Sequence, residues 1–167
     1  SLPKGSRPTR LAEECHASLD VLGIRDDRRI VFRYPVRKLS YHRQDVLENM
    51  VQLGQEIAPE WVVIPSGSDL HQDHATIHDE ALRAFKHKTV LGYELPWNHI
   101  TFCASAFVTL ERRHLDRKWD ALTCYASQLE LGRPYFTKEF HESLARVRGL
   151  QVKNDWAEAF ELIRVVL

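Results

Sequence analysis

Apolar residues along this chain follow two spacings, which together predict helices alternating with strands. Helical spacing followed by Gly or Pro marks the helices, and short apolar runs between turn residues mark the strands. The predicted helices cover residues 10–22, 43–57, 75–86, 116–128 and 138–147. The predicted strands cover residues 30–34, 61–64, 89–95, 107–110 and 160–167.

This alternation at short spacing predicts an α/β fold with a mostly parallel sheet, built as one domain over residues 1–167. The run Trp61-Val62-Val63-Ile64 is apolar throughout, as expected of a strand buried on both faces of such a sheet. Because crossovers between parallel strands are right-handed, the loops that lead from strands to helices should lie at one edge of the sheet.

Composition narrows the classes of protein that this chain can represent. Lys plus Arg and Asp plus Glu number 23 each, so no net charge favours nucleic acid or an anionic membrane as a partner. Three widely spaced cysteines argue against a disulfide framework and for a reducing, cytoplasmic location. The longest apolar run, residues 100–110, is too short to span a membrane.

The candidate chemistry lies in the loop between the predicted strand 61–64 and the helix that follows it. Asp69, His71, Asp73 and His74 stand within six residues there, and such groups bind divalent metals or move protons. In one interpretation His74 is a metal ligand and Asp73 accepts a hydrogen bond from an imidazole, which fixes its tautomer. In the other, Asp73 caps the helix and the histidines are solvated loop residues. His99, on the loop after a later strand, is a further candidate for the same edge.

The segment His71-Gln72-Asp73-His74 forms an H-x-D-H string between a predicted strand and a predicted helix. This string resembles a motif of the LmbE / PIG-L family of zinc-dependent N-deacetylases. Four further segments resemble the family in order along the chain: residues 10–23, 80–85, 118–128 and 157–161. The resemblance therefore covers nearly the whole chain and implies a three-layer Rossmann-like fold.

The resemblance also implies an activity and a set of roles. The implied reaction is hydrolysis of an N-acetyl group on a GlcNAc-type sugar conjugate, with a metal-bound water attacking the carbonyl. His74 would bind Zn²⁺ or another divalent metal, and His71 would polarise the amide or protonate the departing amine, with Asp73 orienting it. Arg43, Asp69 and His99 are the candidates for contacting the substrate.

One departure from the family pattern limits these expectations. The family's first motif, A-H-P-D-D-E, supplies two metal ligands and the general base, and no such string occurs in this sequence. We therefore expect an N-terminally truncated domain that binds zinc weakly or not at all and has no robust deacetylase activity. The alternative is a non-catalytic sugar-binding or interaction module. A sheet edge exposed by the missing strands would favour a homo-oligomer.

Overall fold

Six α-helices and four β-strands make up the regular structure of residues 10–167, the part of the chain that the computed structural model describes. The helices are α1 (Arg10–Val21), α2 (Arg43–Ile57), α3 (Gln72–Ala84), α4 (Arg112–Thr123), α5 (Ala126–Leu129) and α6 (Lys138–Gln151). The strands are β1 (Trp61–Pro65), β2 (Thr89–Tyr93), β3 (Ala106–Leu110) and β4 (Trp156–Arg164). These elements confirm the predicted α/β class.

The sheet is mixed, with strand order β1-β2-β4-β3. Strand β1 runs parallel to β2, and Ile64 lies opposite Gly92. Strand β4 runs antiparallel to β2 and places Glu161 opposite the same Gly92. Gly92 is therefore flanked by Ile64 and Glu161, two residues that are far apart in the sequence.

Strand β1 lies at the edge of the sheet in the described chain, and the prediction that both of its faces are buried is wrong. Trp61 and Val63 on one face are 64% and 53% exposed, whereas Ile64 on the other face is buried. Ile64 packs with Ala81 of α3 and Val90 of β2 in the apolar core of this region. An apolar run thus predicts a strand, but it does not distinguish an edge strand from a central one.

The structure contradicts the strand predicted over residues 30–34. The segment has no regular secondary structure, no strand of the described chain pairs with it, and its apolar side chains at Ile30, Val31 and Phe32 are about half exposed. Backbone groups in an extended segment form a strand only when a neighbouring strand accepts and donates their hydrogen bonds.

The chain divides into two compact units. The first comprises residues 1–33 and 108–158, and the second comprises residues 34–107 and 159–167. In the first unit Glu14 of α1 accepts hydrogen bonds from the backbone N–H and the hydroxyl of Ser127. This carboxylate accepts a backbone amide in the first turn of α5, which has no acceptor within the helix. The segment predicted as one helix over residues 116–128 forms two helices, α4 and α5. The prediction of a single domain remains a prediction.

The second unit contains every residue proposed as part of the functional site. Helices α2 and α3 pack against each other and α3 packs on β1. Helix α3 begins three residues earlier than predicted because the ring of His71 accepts a hydrogen bond from the N–H of Asp73 and so caps the helix. Among residues 10–167, no helix is both long enough and apolar enough to cross a membrane.

Candidate functional site

The loop between β1 and α3 lies beside the loop that follows β2. Because β1 and β2 are parallel, their carboxyl ends meet at one edge of the sheet, where α/β proteins place their ligands. The backbone N–H of Leu70 donates to the carbonyl oxygen of Asn98 at 3.0 Å, which joins the two loops. The prediction that the His/Asp loop lies at the carboxyl edge of the strands is therefore confirmed.

His74 is held by the buried carboxylate of Asp69. The Nδ1 atom of His74 lies 2.7 Å from Oδ2 of Asp69, whose side chain is 1% exposed. Asp69 also accepts the backbone N–H of His71 at 2.8 Å and the side-chain amide of Asn98 at 3.3 Å. Burial by itself would raise the pKa of Asp69, but the hydrogen bonds from His74 and these other donors lower it below its usual value.

An ionised Asp69 decides which nitrogen of His74 is available. Because a carboxylate only accepts hydrogen bonds, Nδ1 of His74 carries the proton and Nε2 carries a lone pair. This arrangement, a carboxylate behind an imidazole, fixes the tautomer and the direction of the ring. The side chain of His74 is 29% exposed, so the ring is partly open to solvent.

His71 is committed to the opposite protonation. Its Nδ1 accepts a hydrogen bond from the backbone N–H of Asp73 at 3.2 Å. A neutral His71 therefore carries its proton on Nε2 and presents a hydrogen-bond donor. The centroids of the His71 and His74 rings lie 4.7 Å apart. The site thus offers, side by side, a hydrogen-bond donor that can bind a carbonyl oxygen and a lone pair that can accept an N–H or bind a metal ion.

The carboxylate of Asp73 has a different partner from the one that sequence reasoning suggested. Instead of an imidazole, it accepts the backbone N–H groups of Arg37 at 2.6 Å and Leu39 at 3.2 Å. Asp73 orients His71 through its own backbone amide, and its carboxylate holds the loop 35–42 next to the site. The interpretation of Asp73 as the helix cap is also wrong, since His71 is the capping residue.

Arg43 was a candidate for contacting substrate, but the structure gives it a strong internal partner. Its Nε lies 2.5 Å from Glu80, whose side chain is fully buried, and Arg83 binds the other oxygen of Glu80 at 2.6 Å. Burial alone would raise the pKa of Glu80, but the two guanidinium groups lower it below its ordinary value. Arg43 therefore neutralises a buried charge between α2 and α3.

His99 has both ring nitrogens engaged in the scaffold of the site. Its Nε2 accepts the backbone N–H of Leu95 at 2.9 Å, so Nδ1 carries the proton and donates to the hydroxyl of Ser68 at 3.3 Å. Ser68 then contacts Ser66 at 3.1 Å, and Ser66 donates to the carboxylate of Glu161 at 2.7 Å. This chain of hydrogen bonds links the loop after β1 to the loop after β2 and to β4.

The ring of His78 anchors α3 to the end of β1. Its Nδ1 lies 2.9 Å from the carbonyl oxygen of Pro65. The ring also fills the space beside Gly67, because a Cβ atom added there would approach its Cε1 and Nε2 atoms to 3.0 Å. An alanine at position 67 would therefore require the ring of His78 to shift by a few tenths of an ångström.

The donor set that the structure describes does not make a complete metal centre. Within residues 10–167, no group of three or more His, Cys, Asp or Glu side chains is arranged to hold a metal ion. His74 supplies one nitrogen, and Asp69 and Asp73 are turned toward internal hydrogen-bond donors. A catalytic zinc needs three protein ligands, so these residues do not fit a zinc ion on their own.

Sequence reasoning missed Asn98, which is adjacent to the candidate His99. The side-chain amide of Asn98 donates to Asp69, and the backbone carbonyl oxygen of Asn98 accepts the N–H of Leu70. The sequence did contain a signal: Asn98 is polar and lies on the loop after β2. That loop lies at the same edge of the sheet as the loop after β1. The engagement of Ser66 with Glu161 had no comparable signal, because the two residues are 95 positions apart.

Fold and site together define an α/β protein with a paired-histidine loop at the carboxyl edge of its sheet. The sequence profile of the PIG-L family, described as GlcNAc-PI de-N-acetylase, matches residues 4–85. This match confirms the family resemblance inferred from the H-x-D-H motif over these residues. No curated protein sequence matches the chain.

Solved structures with the same fold cover nearly the whole chain. A conserved protein from Thermus thermophilus has a TM-score of 0.78 and 21% identity, covering 99% of this chain and 78% of its own. The 4-carboxy-2-hydroxymuconate hydratase from Pseudomonas putida has a TM-score of 0.68 and 19% identity, with coverages of 99% and 78%. The N,N'-diacetylchitobiose deacetylase from Pyrococcus horikoshii has a TM-score of 0.67 and 18% identity, with coverages of 89% and 61%. This chain thus spans about three fifths of that deacetylase, and the fold itself hosts more than one reaction.

Proposed function

We propose that this chain carries the histidine half of an N-deacetylase site and binds the N-acetyl group of a GlcNAc-type sugar conjugate. The observation that carries the proposal is the pair of rings with opposite protonation, His71 as donor and His74 as lone-pair holder, 4.7 Å apart at the carboxyl edge of the sheet. The PIG-L match over residues 4–85 supports an amide hydrolase. The shared fold of the diacetylchitobiose deacetylase supports a small N-acetylated sugar as ligand.

The proposed chemistry of the chain's own residues is confined to the acetyl group. The Nε2–H of His71 donates a hydrogen bond to the carbonyl oxygen of the acetyl group, and in a complete site the same bond would stabilise the oxyanion formed when water adds to that carbonyl. Asp69 keeps the lone pair of His74 directed toward the same region and prevents the ring from rotating. A complete deacetylase would use zinc, for which the described residues offer only His74, so no catalytic step of these residues runs through a metal.

A second candidate function is a sugar-binding module without catalysis. It is favoured by the lack of a three-ligand cluster in the described residues and by the absence of an H-P-D-D string from the sequence. We therefore propose that residues 1–167, by themselves, bind the sugar but do not release acetate. The balanced charge of the chain makes nucleic acid an unfavourable partner, and the wide spacing of its cysteines suits a cytoplasmic location.

The test measures binding and turnover separately on the same protein. Titration calorimetry with a methyl N-acetylglucosaminide reports binding, and an amine-reactive fluorophore reports deacetylation with and without added zinc. We expect binding without amine release, and a roughly fivefold loss of affinity in His71→Ala, the value of one hydrogen bond of about 1 kcal/mol. His87→Ala, an exposed histidine outside the site, is the matched control.

The two candidate functions predict different results for His74→Ala. If amine release occurs with zinc and disappears in His74→Ala, the chain is a catalyst and the binding-only form of the proposal is wrong. If the sugar binds neither the wild-type chain nor the variants, the site does not recognise N-acetyl sugars and the whole proposal is wrong.

A further inference from the structure

The loop 35–42 is fastened to the histidine site by a single buried carboxylate. Asp73 is 8% exposed and accepts the N–H of Arg37 at 2.6 Å and that of Leu39 at 3.2 Å. The backbone N–H of the same Asp73 orients His71. Arg37 and the ring of His71 are therefore each hydrogen-bonded to Asp73, which fixes the position of both.

The backbone of Arg37 is strained. Its φ angle is +64°, the left-handed region that favours glycine and costs a residue with a side chain about 1 kcal/mol or more. Asp73 holds this conformation by accepting the Arg37 amide. Glycine or asparagine would make the same turn at lower cost, so the turn itself does not account for an arginine at this position.

The guanidinium of Arg37 also differs from those of the other arginines in its unit, because it has no acceptor among residues 10–167. The second unit contains four arginines, Arg37, Arg43, Arg83 and Arg164. Arg43 and Arg83 bind Glu80, and Arg164 donates to a backbone carbonyl oxygen. The exposed guanidinium of Arg37 makes no hydrogen bond or ion pair within residues 10–167, and Lys38 beside it has no acidic partner there either.

We propose that Arg37 is a specificity-determining residue that binds an anionic group of the sugar conjugate, a phosphate or a carboxylate, next to the N-acetyl group held by the histidines. This inference rests on the proposed function and adds a substrate charge to it. A guanidinium presents a planar fork of N–H donors that matches phosphate and carboxylate oxygens, and it is held here close to the site by a fixed backbone. Arg37, and not Arg43, would then be the arginine that contacts the substrate, because Arg43 forms an ion pair with Glu80.

The experiment compares a charged and a neutral sugar on the whole chain. N-acetylglucosamine 1-phosphate and methyl N-acetylglucosaminide are titrated into the wild type, Arg37→Gln and Arg37→Lys. We expect Arg37→Gln to lose about tenfold in affinity for the phosphate sugar, the size of one charge-assisted hydrogen bond, with the neutral sugar unchanged. Arg37→Lys should restore part of the loss. Lys86→Gln, an exposed cation just past the carboxyl end of α3, is the matched control and should bind both sugars like the wild type.

Each other outcome overturns the inference and locates the failure. If the neutral sugar binds the wild type but Arg37→Gln leaves the preference for phosphate unchanged, Arg37 does not read the anion and the proposed function stands. If Arg37→Gln weakens both sugars equally, the residue acts through the loop and not through its charge. If neither sugar binds the wild type, both this inference and the proposed function are wrong.

Discussion

The ring of His141 on α6 should make the first unit less stable in mild acid. Among residues 10–167 its buried Nε2 has no hydrogen-bond partner, and the ring lies near those of Trp119 and Phe140. Burial, with a smaller contribution from the charge of Lys118, lowers the pKa of His141 from 6.5 to about 4, although Glu158 acts in the opposite direction. The neutral ring is therefore the form that the folded state tolerates.

The sign of the effect follows from proton binding. Between the folded and unfolded pKa values the unfolded chain binds more protons at this ring, so stability falls as the pH drops from about 6.5 toward about 4. The shift alone would cost roughly 2 kcal/mol between pH 7 and pH 5. Because part of the ring is reached by solvent, we discount this to about 1 kcal/mol.

The measurement is urea unfolding of the wild type and His141→Leu at pH 7 and pH 5. The variant removes the titrating ring and its unpaired nitrogen while keeping an apolar side chain of similar size. We expect the stability difference between variant and wild type to shift by about 1 kcal/mol in favour of the variant at pH 5. His87→Leu, the same change at an exposed position, should show no such shift. An identical difference at both pH values would refute the reasoning.

Three further changes test the scaffold around the site. Gly67→Ala should cost about 1–3 kcal/mol in urea unfolding, because the new Cβ at 3.0 Å forces the ring of His78 away from its carbonyl acceptor; unchanged stability would mean that the ring moves freely. Glu80→Gln should cost about 2 kcal/mol, since it leaves Arg43 facing an uncharged amide, and a neutral result would show that the buried ion pair is dispensable. The wild type should form oligomers in size-exclusion chromatography with light scattering through the exposed β1 edge, and Trp61→Lys should shift it toward monomer; a monomeric wild type would contradict this.

The sequence by itself determined the order of the elements and the location of the site. Helix α2 was predicted with its observed bounds, and the strand before the histidine loop was predicted to within one residue. These features depend on spacing within a few residues, so local periodicity reveals them. The H-x-D-H motif likewise marked the loop at the carboxyl edge of the sheet, because the position of a strand-to-helix loop follows from chain direction.

Only the tertiary structure decided what each side chain of the site does. Asp73 holds a loop 36 residues before it, Arg43 neutralises a carboxylate 37 residues after it, and Ser66 binds a glutamate 95 residues away. The opposite protonation of His71 and His74 depends on the donors and acceptors behind each ring, and the exposed face of β1 depends on which elements pack over the sheet. A side chain's role is set by the groups that folding brings to it, and residue spacing along the chain does not specify those groups.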